Sequence, residues 1–175
     1  ESMSCAPYYI RNARFGFVSG NAEILDPNRE SQPGSQPVER YGRLTMGMTA
    51  EYLAEEYGIT REEQDAFALE SQRKARHAIA NGLFRDEIVP VPVPQKKGPP
   101  AMFEVDEHPR ETSMEKLAAL PPAFKEDGTV TAGNSSGLND GASLLLVVSE
   151  QCAERYGLKP LAEIAGLGLA GVRPD

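Results

Sequence analysis

The sequence predicts an α/β chain, and three patterns carry that expectation. Apolar residues recur at helical spacing between Met48 and Asn81, with one break at Gly58. Glu87–Pro94 then alternates apolar residues with prolines, which suits an extended segment or an edge strand, because proline offers no amide donor to a central ladder. Ala142–Val148 is an almost unbroken apolar run, the pattern of a strand covered on both faces. At 175 residues the chain amounts to one domain or slightly more, long enough to bury a core without a covalent or metal staple.

Residues 1–45 read as irregular. Pro27, Asn28, Pro33, Gly34, Ser35 and Pro37 punctuate Asp26–Gln36 and predict a loop. Tyr8, Tyr9, Phe15, Phe17 and Tyr41 are more rings than a solvated linker carries, so that loop is expected to be ordered. Met48–Tyr57 puts Leu53, Ala54 and Tyr57 on one helical face, and Gly58 stops the helix. Thr60-Arg61-Glu62-Glu63 is a capping box, and Phe67, Ser71, Ala75, Ala78 and Ile79 continue the period to Asn81, with Gly82 as the stop. The short link Gly58-Ile59 makes the two helices neighbours.

Beyond the proline-rich segment, Lys96–Pro100 reads as a turn and Met102–Val105 as its return strand. Ser113–Leu120 is a short helix with Met114, Leu117 and Leu120 in step. Gly128–Gly133 reads as a short strand, Ser149–Tyr156 as a helix capped by Ser149 and closed by Gly157, and Leu161–Ala170 as a further, glycine-rich strand.

Composition narrows the function. The 18 Lys and Arg against 26 Asp and Glu give a net charge of −8, which opposes broad nucleic-acid binding through clustered cations. No run approaches the roughly 18 apolar residues of a membrane span, and the opening residues carry neither a basic leader nor an apolar stretch. Cys5 and Cys152 form no CxxC, and with two His no structural zinc site is expected. A reducing cytoplasm is the simplest compartment, with a Cys5–Cys152 disulfide as the minor alternative. The chain opens without Met and closes on Gly171–Asp175, and it reads as an excised piece.

Gly133-Asn134-Ser135-Ser136-Gly137 fits the G-x-S-x-G pattern of a hydrolase nucleophile elbow. Both His77 and His108 precede Ser135, however, against the order of that triad, and a turn rather than a helix follows Gly137. A tight turn of small residues is the better reading, with a surface open to close ligand approach as a third. His77 is expected on a solvated helix face, Cys5 as an inert loop residue and Cys152 as a packing residue. Lys96-Lys97 reads as a solvent-facing pair at a turn.

The order of segments resembles the thiolases, the acyl-CoA acyltransferases. The stretches that carry the likeness are Glu1–Ser4 with Ala6-Pro7, Met46–Glu51, Ile59–Ala68, Asp86–Val91, Asp106–Arg110, Pro122–Phe124, Asp127–Asn134 and Ser136–Ala142. The resemblance implies an α/β, thiolase-like fold built of two similar halves, of which this chain is an internal fragment. Residues 1–10 would end a segment of the N-terminal half, 11–125 would be the inserted loop domain that binds coenzyme A, 126–150 would supply the last strands of the N-terminal half, and 151–175 would hold a linking helix and the first strand of the C-terminal half.

The chemistry implied is acyl transfer between CoA thioesters, as in acetyl-CoA condensation or thiolytic cleavage of a 3-oxoacyl-CoA, through a covalent thioester on a cysteine. The substrate would be a coenzyme A thioester, with no permanently bound cofactor. The family's nucleophilic cysteine and its histidine motifs match nothing in this chain, so no catalytic residue is expected and the chain alone is expected to be inactive. Ser136, Ala132 and Gly133 match positions beside the pantetheine arm, Ala123 and Phe124 its wall, Met46 a methionine near it, and Arg110 an arginine by the adenine and phosphates. The position before Met46, often His in the family, is Thr45, and residues 11–44 depart from the family's short tetramerisation loop. The whole protein would be a cytoplasmic homo-oligomer, dimer or tetramer, acting in fatty acid metabolism without nucleic acid or membrane. The alternative is a stand-alone CoA- or nucleotide-binding or structural module without catalysis.

Overall fold

The computed structural model describes residues 2–173; Glu1 of the first matching stretch and the last two residues of the 151–175 segment lie outside the described residues. Helices and a small sheet alternate as α1 (Pro27–Gly34), α2 (Val38–Tyr41), α3 (Met46–Tyr57), α4 (Arg61–Ala80), β1 (Val91–Val93), β2 (Ala101–Phe103), α5 (Met114–Ala118) and α6 (Glu150–Tyr156). The chain divides into two compact units. One is Arg43–Gly137; the other joins the chain up to Gly42 with the chain from Leu138 onward.

In the unit Arg43–Gly137, α3 starts where the Thr45 hydroxyl accepts from the Met48 N–H at 3.3 Å and stops at a left-handed Gly58. The capping box of α4 closes in both directions: the Glu63 N–H donates to the Thr60 hydroxyl at 3.2 Å and the Thr60 N–H to the Glu63 carboxylate at 2.8 Å. The inward face differs from the apolar stripe the spacing suggested. Leu53, Tyr57 and Phe67 are exposed, while Ala54 and Ala78 are buried as expected. The remaining buried helix positions are Gly47 and two carboxylates, Glu51 at 4% exposure and Asp65 at 1%. On α4 the covered stripe runs Arg61, Gln64, Asp65, Ala68, Leu69, Gln72, Ala75, Ala78, a clean helical period made largely of polar and small residues.

The proline-rich segment forms the expected edge hairpin. β1 and β2 pair antiparallel with Val91 opposite Phe103, Pro92 opposite Met102 and Val93 opposite Ala101. Every residue of both strands is exposed, as a two-stranded ribbon with a proline on one strand permits. The capped helix α5 packs on α4 and buries Leu117. Gly128–Gly133 is not the strand its sequence suggested. It is a turn whose backbone pairs through one bridge of Pro122 with Thr131 and through the Ala123 N–H donating to the Val130 carbonyl at 2.9 Å.

In the other unit, Asp26–Gln36 corrects the expected loop, because Pro27–Gly34 is helical. Pro27 sits at the first helical position, where its missing N–H is no loss, and the Asp26 carboxylate accepts from the Asn28 N–H at 2.9 Å. The rings were a poor guide to order: Phe15 is 95% exposed, and residues 11–24 are exposed throughout. What ties this stretch down is backbone pairing of Tyr9 with Leu25 (3.1 and 2.8 Å), an Arg11–Glu30 ion pair at 2.9 Å, and the Asn28 side chain donating to the Met3 carbonyl at 3.1 Å. The Asp140 carboxylate accepts from the Ser4 N–H at 2.9 Å and from the Ser4 hydroxyl; these bonds, the hydroxyl's first, hold Asp140 below its ordinary value. Helix α6 forms as expected between the Ser149 cap and a left-handed Gly157.

The expected strands 142–148 and 161–170 are absent. Neither segment pairs with a described residue, and Leu144 is 96% exposed. An apolar run becomes a strand only when neighbours satisfy its backbone and cover its side chains. No helix among the described residues is long and apolar enough to cross a membrane.

Two outcomes follow from these contacts. Glu51→Ala should lower unfolding stability by about 2–3 kcal/mol in urea titrations, since it strands amides that the carboxylate now satisfies. The chain should also self-associate through 142–148 in light scattering, and Leu145→Lys should reduce that association; a monodisperse wild-type monomer would contradict it.

Candidate functional site

The site is built around the turn 129–134, which a buried polar network holds against α3, α4 and α5. From α3, the Glu51 carboxylate accepts from the Thr129 N–H (2.9 and 3.0 Å), the Val130 N–H (2.8 Å) and the Thr129 hydroxyl (3.1 Å). Burial by itself pushes this carboxyl up. The Thr129 and Val130 amides, the Thr129 hydroxyl and the Lys125 charge outweigh burial and hold it below its ordinary value. From α4, the Gln64 amide donates to the same Thr129 hydroxyl at 2.9 Å.

Asp65 and Asn134 complete the clamp. The Asn134 side-chain amide donates to Asp65 Oδ1 at 3.0 Å and to the Thr129 carbonyl at 3.0 Å, while its oxygen accepts from the Thr131 N–H at 2.8 Å. The Arg61 guanidinium donates to Asp65 Oδ2 at 2.8 Å and to the Leu117 and Leu120 carbonyls at 2.7 and 3.0 Å, so one cation neutralises the buried acid and caps the end of α5. Thr131 is fully buried, and its hydroxyl accepts from the Gly133 N–H at 3.1 Å. Among the described residues no buried side-chain polar atom lacks a partner.

Five of the seven candidate residues gather on this frame. The Phe124 ring lies against Gly47, the residue after Met46; a Cβ there would meet the ring carbons at 2.3–2.4 Å, so only glycine admits the ring. Ala123 is bonded to Val130, which leads through Thr131 to Ala132 and Gly133, and Gly133 is backed by the Leu117 and Leu120 side chains. Met46, Ala123, Phe124 and Ala132 all remain exposed. Thr45, the departure from the usual His, works here as the cap of α3.

Ser136 and Arg110 are not part of this gathering. Ser136 is exposed after the turn, and the Arg110 N–H donates to Gln72 Oε1 on α4 at 2.7 Å. The Gly133–Gly137 stretch behaves as a turn and not as a nucleophile elbow: Asn134 faces inward, and the next helix begins only at Glu150. His77 is exposed, its ring 3.2 Å from the Asn81 amide. Cys5 and Cys152 are both free thiols, Cys5 exposed and Cys152 partly covered on α6.

Sequence reasoning overlooked Glu51, Arg61, Asp65 and Asn134. For Arg61 and Asp65 the available signal was an acid standing four residues after an arginine on a predicted helix; no local pattern marked Glu51 or Asn134. An open cleft of about 460 Å³ lies between Tyr57, Ile59, Phe67, Glu63, Gln64 and Asn134, and it contains none of the seven candidates.

Comparison with known proteins adds four findings. The family model described as "Thiolase, N-terminal domain" matches residues 1–151. An acetyl-CoA acetyltransferase of Chromobacterium violaceum is 51% identical over all of this chain, which spans 44% of that relative's length. Among solved structures, the Bacillus anthracis acetyl-CoA acetyltransferase superposes with a TM-score of 0.83 at 46% identity, covering 99% of this chain and 43% of that one. Human mitochondrial 3-ketoacyl-CoA thiolase in complex with CoA gives 0.76 at 43% identity, covering 92% and 39%.

Gly47→Ala should displace the Phe124 ring and destabilise the unit by about 1–3 kcal/mol. Hydrogen exchange should report faster amide exchange at Ala123, whose bond to Val130 depends on that packing.

Proposed function

Since this chain belongs to the thiolase family, we propose that it supplies the coenzyme A-binding part of an enzyme that transfers acyl groups between CoA thioesters. The observation that carries this reading is the gathering of Met46, Ala123, Phe124, Ala132 and Gly133 on one clamped turn. In this reading Phe124 and Ala123 form a wall for the pantetheine arm, with Met46 beside it. Ala132, Gly133 and Ser136 approach the arm closely, and Arg110 meets the adenine and phosphates. The segment 11–125 is the loop domain that holds the carrier; its residues 43–125 lie in the compact unit Arg43–Gly137.

The chemistry of the whole protein follows from its substrate. A cysteine thiolate displaces CoA from an acyl-CoA and becomes acylated; the enolate of a second acyl-CoA attacks that thioester and releases the thiolate, giving a 3-oxoacyl-CoA. Run backwards, CoA cleaves the 3-oxoacyl chain, as in fatty acid metabolism. We assign no catalytic group to this chain, so its part is to bind and orient the carrier, which lowers the entropy cost of bringing two thioesters together. The free Cys5 and Cys152 fit a reducing cytoplasm, and the whole protein is read as a homo-oligomer.

Calorimetry tests the reading. The chain should bind CoA with a Kd in the millimolar range or tighter, about −4 kcal/mol or better, and Ser136→Trp should abolish the heat by filling the arm's place. No heat with wild type, or equal heat with Ser136→Trp, would refute it. The chain alone should show no acetyl-CoA condensation in a thioester-absorbance assay.

A further inference from the structure

The loop that carries Arg110 is anchored separately from the turn 129–134. The His108 N–H donates to Asp106 Oδ1 at 3.2 Å, and two residues later the Arg110 N–H donates to Gln72 Oε1 of α4 at 2.7 Å. One turn further along α4, Arg76 lies 3.7 Å from Glu111. Between these anchors the His108 ring presses on Gly137. A Cβ added to Gly137 would meet His108 Cε1 at 2.0 Å, Nδ1 at 2.6 Å and Nε2 at 3.0 Å. The ring therefore occupies the space that a side chain at 137 would need, and glycine at 137 is what admits it. This contact joins a residue two before Arg110 to a residue one after Ser136.

We propose that His108 is a positioning residue for the CoA ligand: by filling the space beside Gly137, its ring fixes the separation of Ser136 from Arg110. The inference rests on the reading of those two residues as contacts for the pantetheine arm and the nucleotide end. A ligand long enough to reach both gains from holding their spacing fixed, because the second contact then forms without further ordering. A ligand that reaches only Ser136 gains little. The role assigned to the ring is its bulk against Gly137, which another flat ring can supply.

The test compares two ligands on the 175-residue chain by calorimetry, CoA and pantetheine, which lacks the nucleotide end. His108→Ala should weaken CoA about tenfold and pantetheine less than about threefold, whereas His108→Phe should stay within about threefold of wild type for both. Gly137→Ala should reproduce the CoA-selective loss by pushing the ring away, and it replaces His108→Ala if that variant loses its far-UV circular dichroism. Unchanged CoA binding in His108→Ala and Gly137→Ala, equal weakening of both ligands, or a His108→Phe variant as weak as His108→Ala would overturn the positioning role while leaving the functional reading intact. Wild type that binds neither ligand would overturn that reading, and this inference with it.

Discussion

Two buried carboxylates hold the unit Arg43–Gly137 together. Glu51 and Asp65 reach from α3 and α4 to one turn, and between them engage the backbone at Thr129 and Val130 and the side chains of Thr129 and Asn134. A buried acid is tolerated only when hydrogen bonds and a counter-charge replace water. Glu51 is satisfied mainly by amides and a hydroxyl, Asp65 by Arg61 and Asn134. Because the Glu51 carboxyl is held below its ordinary unfolded value of 4.5, its contribution is fully present above that value. It disappears as the pH falls through the lowered folded value.

The apolar core beside this network is small. Leu44, Ala54, Ala78, Leu117 and Val130 are its buried members in this unit, none of them aromatic. Directional bonds therefore set the position of the turn more than side-chain volume does. Such bonds fix geometry tightly and leave the outer surface of the turn free. Met46, Ala123, Phe124 and Ala132 stand exposed on a backbone whose inner side is fully engaged. A ligand meeting that surface would find it already ordered, which spares binding the cost of immobilising it.

Helices α3 to α6 were legible because their ends are written locally, whereas α1 and α2 stand in a stretch that reads as irregular. Thr60 with Glu63, Gly58, Ser149 and Gly157 mark caps and stops from within a few residues, and the structure places each there. Pro92, within Val91–Val93, marked an edge strand for the same local reason. Pro27 misled because the same residue that breaks a helix also starts one when an Asp precedes it. The apolar spacing of α3 and α4 located the helices but misjudged their inward faces, where Glu51 and Asp65 stand and Phe67 does not.

Of the candidate surface, the family likeness named the residues, and the fold showed why five of them meet: Gly47 admits the Phe124 ring, and Ala123 is bonded to Val130. No local pattern could give that, since Gly47 and Phe124 are far apart in the chain. The segment 142–148 illustrates the same limit from the other side. Its apolar content is fixed by the sequence, yet whether it becomes a strand depends on partners that must supply its backbone bonds. The sequence by itself determined helix ends, turns, charge and family; the tertiary structure decided which acids are buried, which rings are covered and which distant residues share a surface. Capping and turn chemistry act over a few residues, whereas burial and close approach belong to pairs that only folding brings together.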